Sequence, residues 1–174
     1  MKKQFQSLLA ITFLLLANGS SFGSPIITQY ALKPLTIAAV SNEEPGEPVS
    51  SGNVNIKVMR SFNQSYGEQQ SVKWYRSARG FIAAFENDGV KNLVHYNANG
   101  TEESKMTSYF EKNLSPEIRH LVKSNFYDYT ILYVNEVKKN DATAFYVKMQ
   151  DSTKIKTIKI VDGEWEVVED LSRR

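Results

Sequence analysis

From Val72 onward, apolar and polar residues alternate in short runs, and each run stops at a turn signal. VKWYR at 72–76 sets Val72 and Trp74 against Lys73 and Tyr75, and GFIAAFE at 80–86 sets Phe81, Ala83 and Phe85 against Ile82 and Ala84. A period of two is the signature of a strand with two unlike faces. VKNLVHY and SKMTSYF continue the series. Asp88-Gly89 and Asn99-Gly100 separate the runs, and an Asx-Gly pair tolerates the positive φ of a tight hairpin turn. The pattern predicts an antiparallel meander.

Two stretches have a longer period. Ile56, Met59 and Phe62 recur every three residues and predict one face of a short helix that ends at Tyr66-Gly67. Farther along, Ser115 is suited to an N-cap, Pro116 to the first helical position and Glu117 to the positive end of the helix dipole. Ile118, Leu121, Val122 and Phe126 form the apolar stripe of this second helix. ILYVNEV, TAFYVKM, IKTIKIV and WEVVED then follow as strands, divided by KKND, DS and Asp162-Gly163. Helix plus four strands thus occurs twice, over about 54–113 and 114–174. The expected fold is α+β: a tandem repeat of a helix and a four-stranded antiparallel β-meander, joined in one broad curved sheet with helices on one face. A meander cannot bury its apolar side alone, so the helices cover that face and leave the other to water.

The N-terminus changes the picture. MKKQFQSLLAITFLLLANGSSFGS joins a basic start, an apolar run too short to span a bilayer and a small-x-small exit at Ser21-Phe22-Gly23. These are the parts of a secretory signal peptide, expected at 1–23, with Gly19 as an alternative cleavage point. Residues 24–53 read as a linker, rich in Pro, Gly, Ser and Glu around NEEPGEPVSSGN. Within it PLTIAAV is either an extended segment docked on the body or a flexible tether. Export would place the mature protein in the periplasm or outside the cell, with no stable membrane anchor after signal removal.

Composition removes several chemistries. The chain has no cysteine, which rules out disulfides, thiolate catalysis and thiolate metal ligands. With 21 basic against 19 acidic residues it carries a formal charge of +2, without the basic excess of a nucleic-acid binder.

The residues in and around SVKWYR, GFIAAFENDG and NLVHYNANG resemble the PepSY-like, beta-lactamase-inhibitor-like domains of exported bacterial proteins, common in Bacteroidetes-type bacteria. The matching elements are Val72-Lys73-Trp74, Phe81 to Phe85 and Tyr96-Asn97-Ala98-Asn99-Gly100, within a domain of about 54–174. The resemblance implies protein binding on a concave sheet face. The namesake inhibitors carry disulfides and none of their contact residues is matched here, so inhibition of a beta-lactamase does not follow.

Candidate chemistry is sparse. His95 and His120 are the two histidines, and neither has a Ser or Asp in a triad context or the spacing of a metal motif. Asn97 to Glu103 has alternating oxygen ligands, but strand runs flank it, so a hairpin turn is the better reading than a calcium loop. No catalytic, cofactor or metal residue is assigned. Trp74 and Trp165 read as core aromatics. The polar strand face offers Lys73, Tyr75, Lys148, Lys156 and Lys159, with Glu164, Glu166 and Glu169 on the last strand. Tyr75, Tyr133, Tyr146, Lys148 and Lys156 are the candidate contact residues, because tyrosine on a rigid sheet favours interfaces. The expected function is that of an exported, non-enzymatic binding module for a protein or cell-envelope component. A small-molecule or ion-binding envelope sensor is the alternative, a structural spacer remains open, and a hydrolase ranks last.

Overall fold

The computed structural model describes residues 46–173; the expected export signal and the PLTIAAV segment lie outside the described residues. The chain forms strand β1 (Pro48–Val49), helix α1 (Ile56–Tyr66), strands β2 (Lys73–Arg76), β3 (Gly80–Asn87), β4 (Val90–Asn97) and β5 (Glu102–Tyr109), and helix α2 (Pro116–Asn125). Strands β6 (Thr130–Lys139), β7 (Ala142–Gln150), β8 (Lys154–Val161) and β9 (Glu164–Ser172) complete it. All nine lie in one antiparallel sheet in the order of the chain. Its two halves are not separate sheets: β5 and β6 pair from Ser104↔Lys139 to Tyr109↔Val134, although α2 lies between them in sequence.

The helices start where side chains can satisfy orphan backbone donors. Asn55 accepts from the Lys57 amide at 2.8 Å and Ser115 from the Ile118 amide at 3.4 Å. Helix α1 covers a cluster of Val54, Val58, Phe62, Trp74, Phe81, Ala83, Phe85, Val94 and Tyr96. The Phe62 ring lies 5.2 Å from Trp74 and 5.3 Å from Phe85, both nearly edge-on. Helix α2 covers a second cluster around Val122, Val134, Val147, Met149, Ile158 and Ile160. Between the clusters the same sheet face turns polar: Thr107 donates to Asn92 at 3.4 Å, and Tyr109 donates to Glu136 at 2.9 Å.

The buried face of α1 differs from the expected one. Ile56 is 70% exposed, while Val58 and Phe62 are buried. Ile56 is the first helical residue and points away from the sheet, so the stripe runs at i, i+4 through Val54, Val58, Phe62 and Tyr66. Residues 47–49 also contribute to the sheet. Val49 pairs with Trp74 and packs on the first cluster, and the Arg76 amide donates to Glu47 at 2.9 Å. Trp165 sits on the helix side, 4.9 Å from the Phe126 ring, yet stays 41% exposed because β9 is the edge strand.

The turn after β4 docks on α1. The Asn97 side-chain oxygen accepts from the amides of Asn99 and Thr101, and Asn55 donates to the Ala98 carbonyl at 3.1 Å. Gly100 has φ +86, and a Cβ there would stand 2.7 Å from the Lys57 carbonyl oxygen. Gly89 has φ +76 with open space around it. Gly100→Ala therefore pays both backbone strain and a steric clash, and should cost about 2–4 kcal/mol against about 1 kcal/mol for Gly89→Ala. Urea midpoints of the two variants check this order. Trp74→Ala should cost about 3–5 kcal/mol by the same measurement.

Candidate functional site: the uncovered sheet face

Antiparallel partners share a face, so the register assigns every strand residue to the helix side or the other side. Starting from Lys73, one row crosses the uncovered face through Ala84, Leu93, Met106, Val137, Ala144 and Val161 to Glu164. Six successive strands thus contribute an apolar residue to a single transverse stripe, with a cation at one end and an anion at the other. Two rows flank it. One runs through Tyr75, Ile82, His95, Ser104 and Lys139. The other runs through Glu86, Lys91, Ser108, Asn135, Tyr146, Lys159 and Glu166.

Both helices pack on the opposite face. Even so, Ile82 and Asn135 are fully buried, and His95, Ser104 and Met106 nearly so. No described helix covers these residues, so among the described residues their burial comes from neighbouring strand side chains. Ser108 donates to Asn135 Oδ1 at 2.5 Å, but Asn135 Nδ2 has no acceptor among the described residues. A buried amide donor left unpaired is costly, on the order of 1–3 kcal/mol.

Of the candidate contact residues, Tyr75 and Tyr146 stand half-buried on this face, and Lys148 shares it. Tyr133 is also there, opposite Lys148, but is almost wholly buried. Lys156 is not: it stands opposite Met149, a residue of the α2 core, and pairs with Asp170 on the helix side. Lys156 and Lys159 are three apart in one strand, so alternation separates them. The charged rim is largely paired across strands. Lys148 reaches Glu169 at 3.0 Å in a half-buried pair, and Lys159 reaches Glu166 at 3.1 Å in an exposed pair worth about 0–1 kcal/mol.

The transverse stripe itself was not anticipated. Its residues read singly as strand positions, and only the register aligns them. His95 lies in this face while His120 is exposed on α2, 3.5 Å from the Ser124 hydroxyl. A cavity of about 790 Å³ opens on the helix side beside α2, but its Arg119 and Lys123 both turn to Glu111, at 2.8 and 3.8 Å. Among the described residues no three His, Asp or Glu side chains gather to hold a metal, and no helix is long and apolar enough to cross a membrane.

With this geometry in hand, solved structures provide the match. A DUF2874 family protein from Bacteroides ovatus superposes with a TM-score of 0.54 at 16% identity, covering 69% of this chain and 88% of that one. A BLIP-like protein from Bacteroides fragilis gives 0.54 at 16%, covering 68% and 86%. The chain has the BLIP-like fold. A protein named as a candidate periplasmic protein from Bacteroides eggerthii agrees, at 0.54 and 14%, covering 70% and 90%. No family model matches the chain, and no curated protein does.

Burial, and secondarily the Glu169 carboxylate, push the Tyr133 phenol up to about 12. Its folded pKa then lies above the unfolded value of about 10, so its contribution to stability is complete below pH 10 and lost as pH rises toward 12. Titration followed by phenolate absorbance should show Tyr133 ionising late, and Tyr133→Phe should remove one late phenol and flatten the alkaline loss of stability.

Proposed function

We propose that this chain is an exported, non-enzymatic binding module that docks a protein or cell-envelope component on its uncovered sheet face. The apolar stripe from Ala84 to Val161 carries the reading. An apolar row across six strands, with both described helices on the other side, supports the reading as a surface that a partner would cover. Tyr75 and Tyr146 flank the row as amphipathic anchors, and Lys148 with its neighbours forms a polar rim. Lys156, on the helix side, drops out of the contact set, and Tyr133 supports the face from within.

The solved neighbours support recognition over catalysis, since one is described as BLIP-like and another as a candidate periplasmic protein. Export through the N-terminal signal fits the same reading. A broad open sheet face is one that a protruding loop or strand of a partner would lie against.

The test is a crosslinking capture from whole cells with the tagged full chain, followed by mass spectrometry. A specific partner should be captured, and Tyr75→Ala with Tyr146→Ala should weaken it by about 10-fold or more, in line with truncated interface anchors. Capture indifferent to both tyrosines and to Val137→Asp would contradict the placement of the site. A ligand-dependent rise in melting temperature without protein capture would favour the sensor reading instead.

A further inference from the structure

We infer that the outer edge of β9 is a second docking site, which accepts an extended segment of alternating basic and apolar residues from a partner protein. The site is separate from the uncovered face and stands whether or not that face binds anything.

Exposure is the first argument. Seven large apolar residues are exposed among the described residues, and four of them, Trp165, Val167, Val168 and Leu171, lie on β9. No described strand pairs with the outer side of β9, because it ends the strand order. Such an edge presents amides and carbonyls to any chain that can lie along it. The other end of the sheet is blunted, since β1 has two residues and one of them is Pro48. Strand β9 has nine residues, longer than a usual strand, and its far end is tied down by the Arg173 amide, which donates to the Thr153 carbonyl at 2.7 Å.

The inner neighbour of β9 indicates the chemistry that its outer side would accept. Along β8, Ile160 stands opposite Trp165, Lys159 opposite Glu166 and Ile158 opposite Val167. A central strand meets a cross-strand partner on each side, so a strand added outside β9 would meet the same side chains that β8 meets inside. On the helix side it would meet Trp165 and Val167, where the Phe126 ring already carries the apolar layer of α2 out to the edge. On the other side it would meet Glu164, Glu166 and Glu169. Each carboxylate can accept from more than the one lysine it now faces. Apolar residues on one side and cations on the other are therefore the matching pattern, and the pairing is regular over Glu164 to Val167, before the shift at Thr157/Ile158. A second copy of β9 matches poorly, because its own glutamates would join these along one seam.

The probe is a labelled peptide of sequence KIKTIKIV, a copy of Lys154 to Val161, beside a version with glutamate at each lysine. In fluorescence anisotropy with the full chain, the lysine peptide should bind about tenfold or more tighter than the glutamate peptide. Glu164→Lys with Glu166→Lys, both at exposed positions, should reverse that order, which a misfolded chain would not do. In hydrogen exchange, the bound lysine peptide should slow amides of β9 by about tenfold or more. Equal affinity for the two peptides would overturn the inference, as would binding that leaves β9 amides unchanged. Slowing of β9 amides by raised protein concentration alone would also overturn it and assign the edge to a second copy. Tyr75→Ala with Tyr146→Ala should leave peptide affinity unchanged. Affinity lost with those tyrosines would return the peptide to the uncovered face and remove the second site.

Discussion

The pairing of β5 with β6 is the constraint on which the molecule depends. Six residue pairs, from Ser104↔Lys139 to Tyr109↔Val134, join two helix-plus-meander halves into a single sheet. Because α2 is inserted between those two strands, it must return to the sheet on one side or the other. It packs on the same side as α1. Had the halves remained separate, each could have covered the other's bare face as a sandwich. Joined edge to edge, they cannot, and among the described residues one face of the nine strands has no layer over it.

The consequences of that seam differ on the two faces. On the helix side it is polar, with Asn92, Thr107, Tyr109 and Glu136 hydrogen-bonded between two separate cores. On the other side it is the middle of the apolar stripe, where Met106 stands opposite Val137. The sheet is therefore apolar at its centre only on the face that no described element covers. Each helix already has its own core, and Ile82 and Met106 bury further apolar surface on the other face. A cation, Lys73, and an anion, Glu164, stand at the two ends of the row and give it a direction.

Most of the architecture was legible in the chain. Strands showed themselves by strict alternation, and turns by Asp-Gly and Asn-Gly pairs whose Asp88, Asp162, Gly89, Gly100 and Gly163 adopt positive φ. The α2 cap at Ser115-Pro116-Glu117 was equally plain. Three features were harder to see. Strand β1 is two residues long and begins with proline, so it offers no periodicity. Of the expected α1 stripe, Met59 and Phe62 pack on the core but Ile56 does not, because it is apolar yet occupies the first turn and stays exposed. The transverse row depends on cross-strand register, which is shifted at His95/Tyr96, Ile131/Tyr133 and Thr157/Ile158, and no single run of sequence encodes those irregularities. Lys156 is a different kind of miss, because alternation along β8 already placed it opposite Lys159.

Native-state hydrogen exchange across the seam tests the central claim most directly. A single sheet predicts that backbone amides of Met106 to Ser108 and Asn135 to Val137 exchange only through global unfolding, at the rate of the slowest amides in both cores. Seam amides that exchange well ahead of both cores would contradict it. The protein would then be two units in loose contact, with no continuous face for anything to bind.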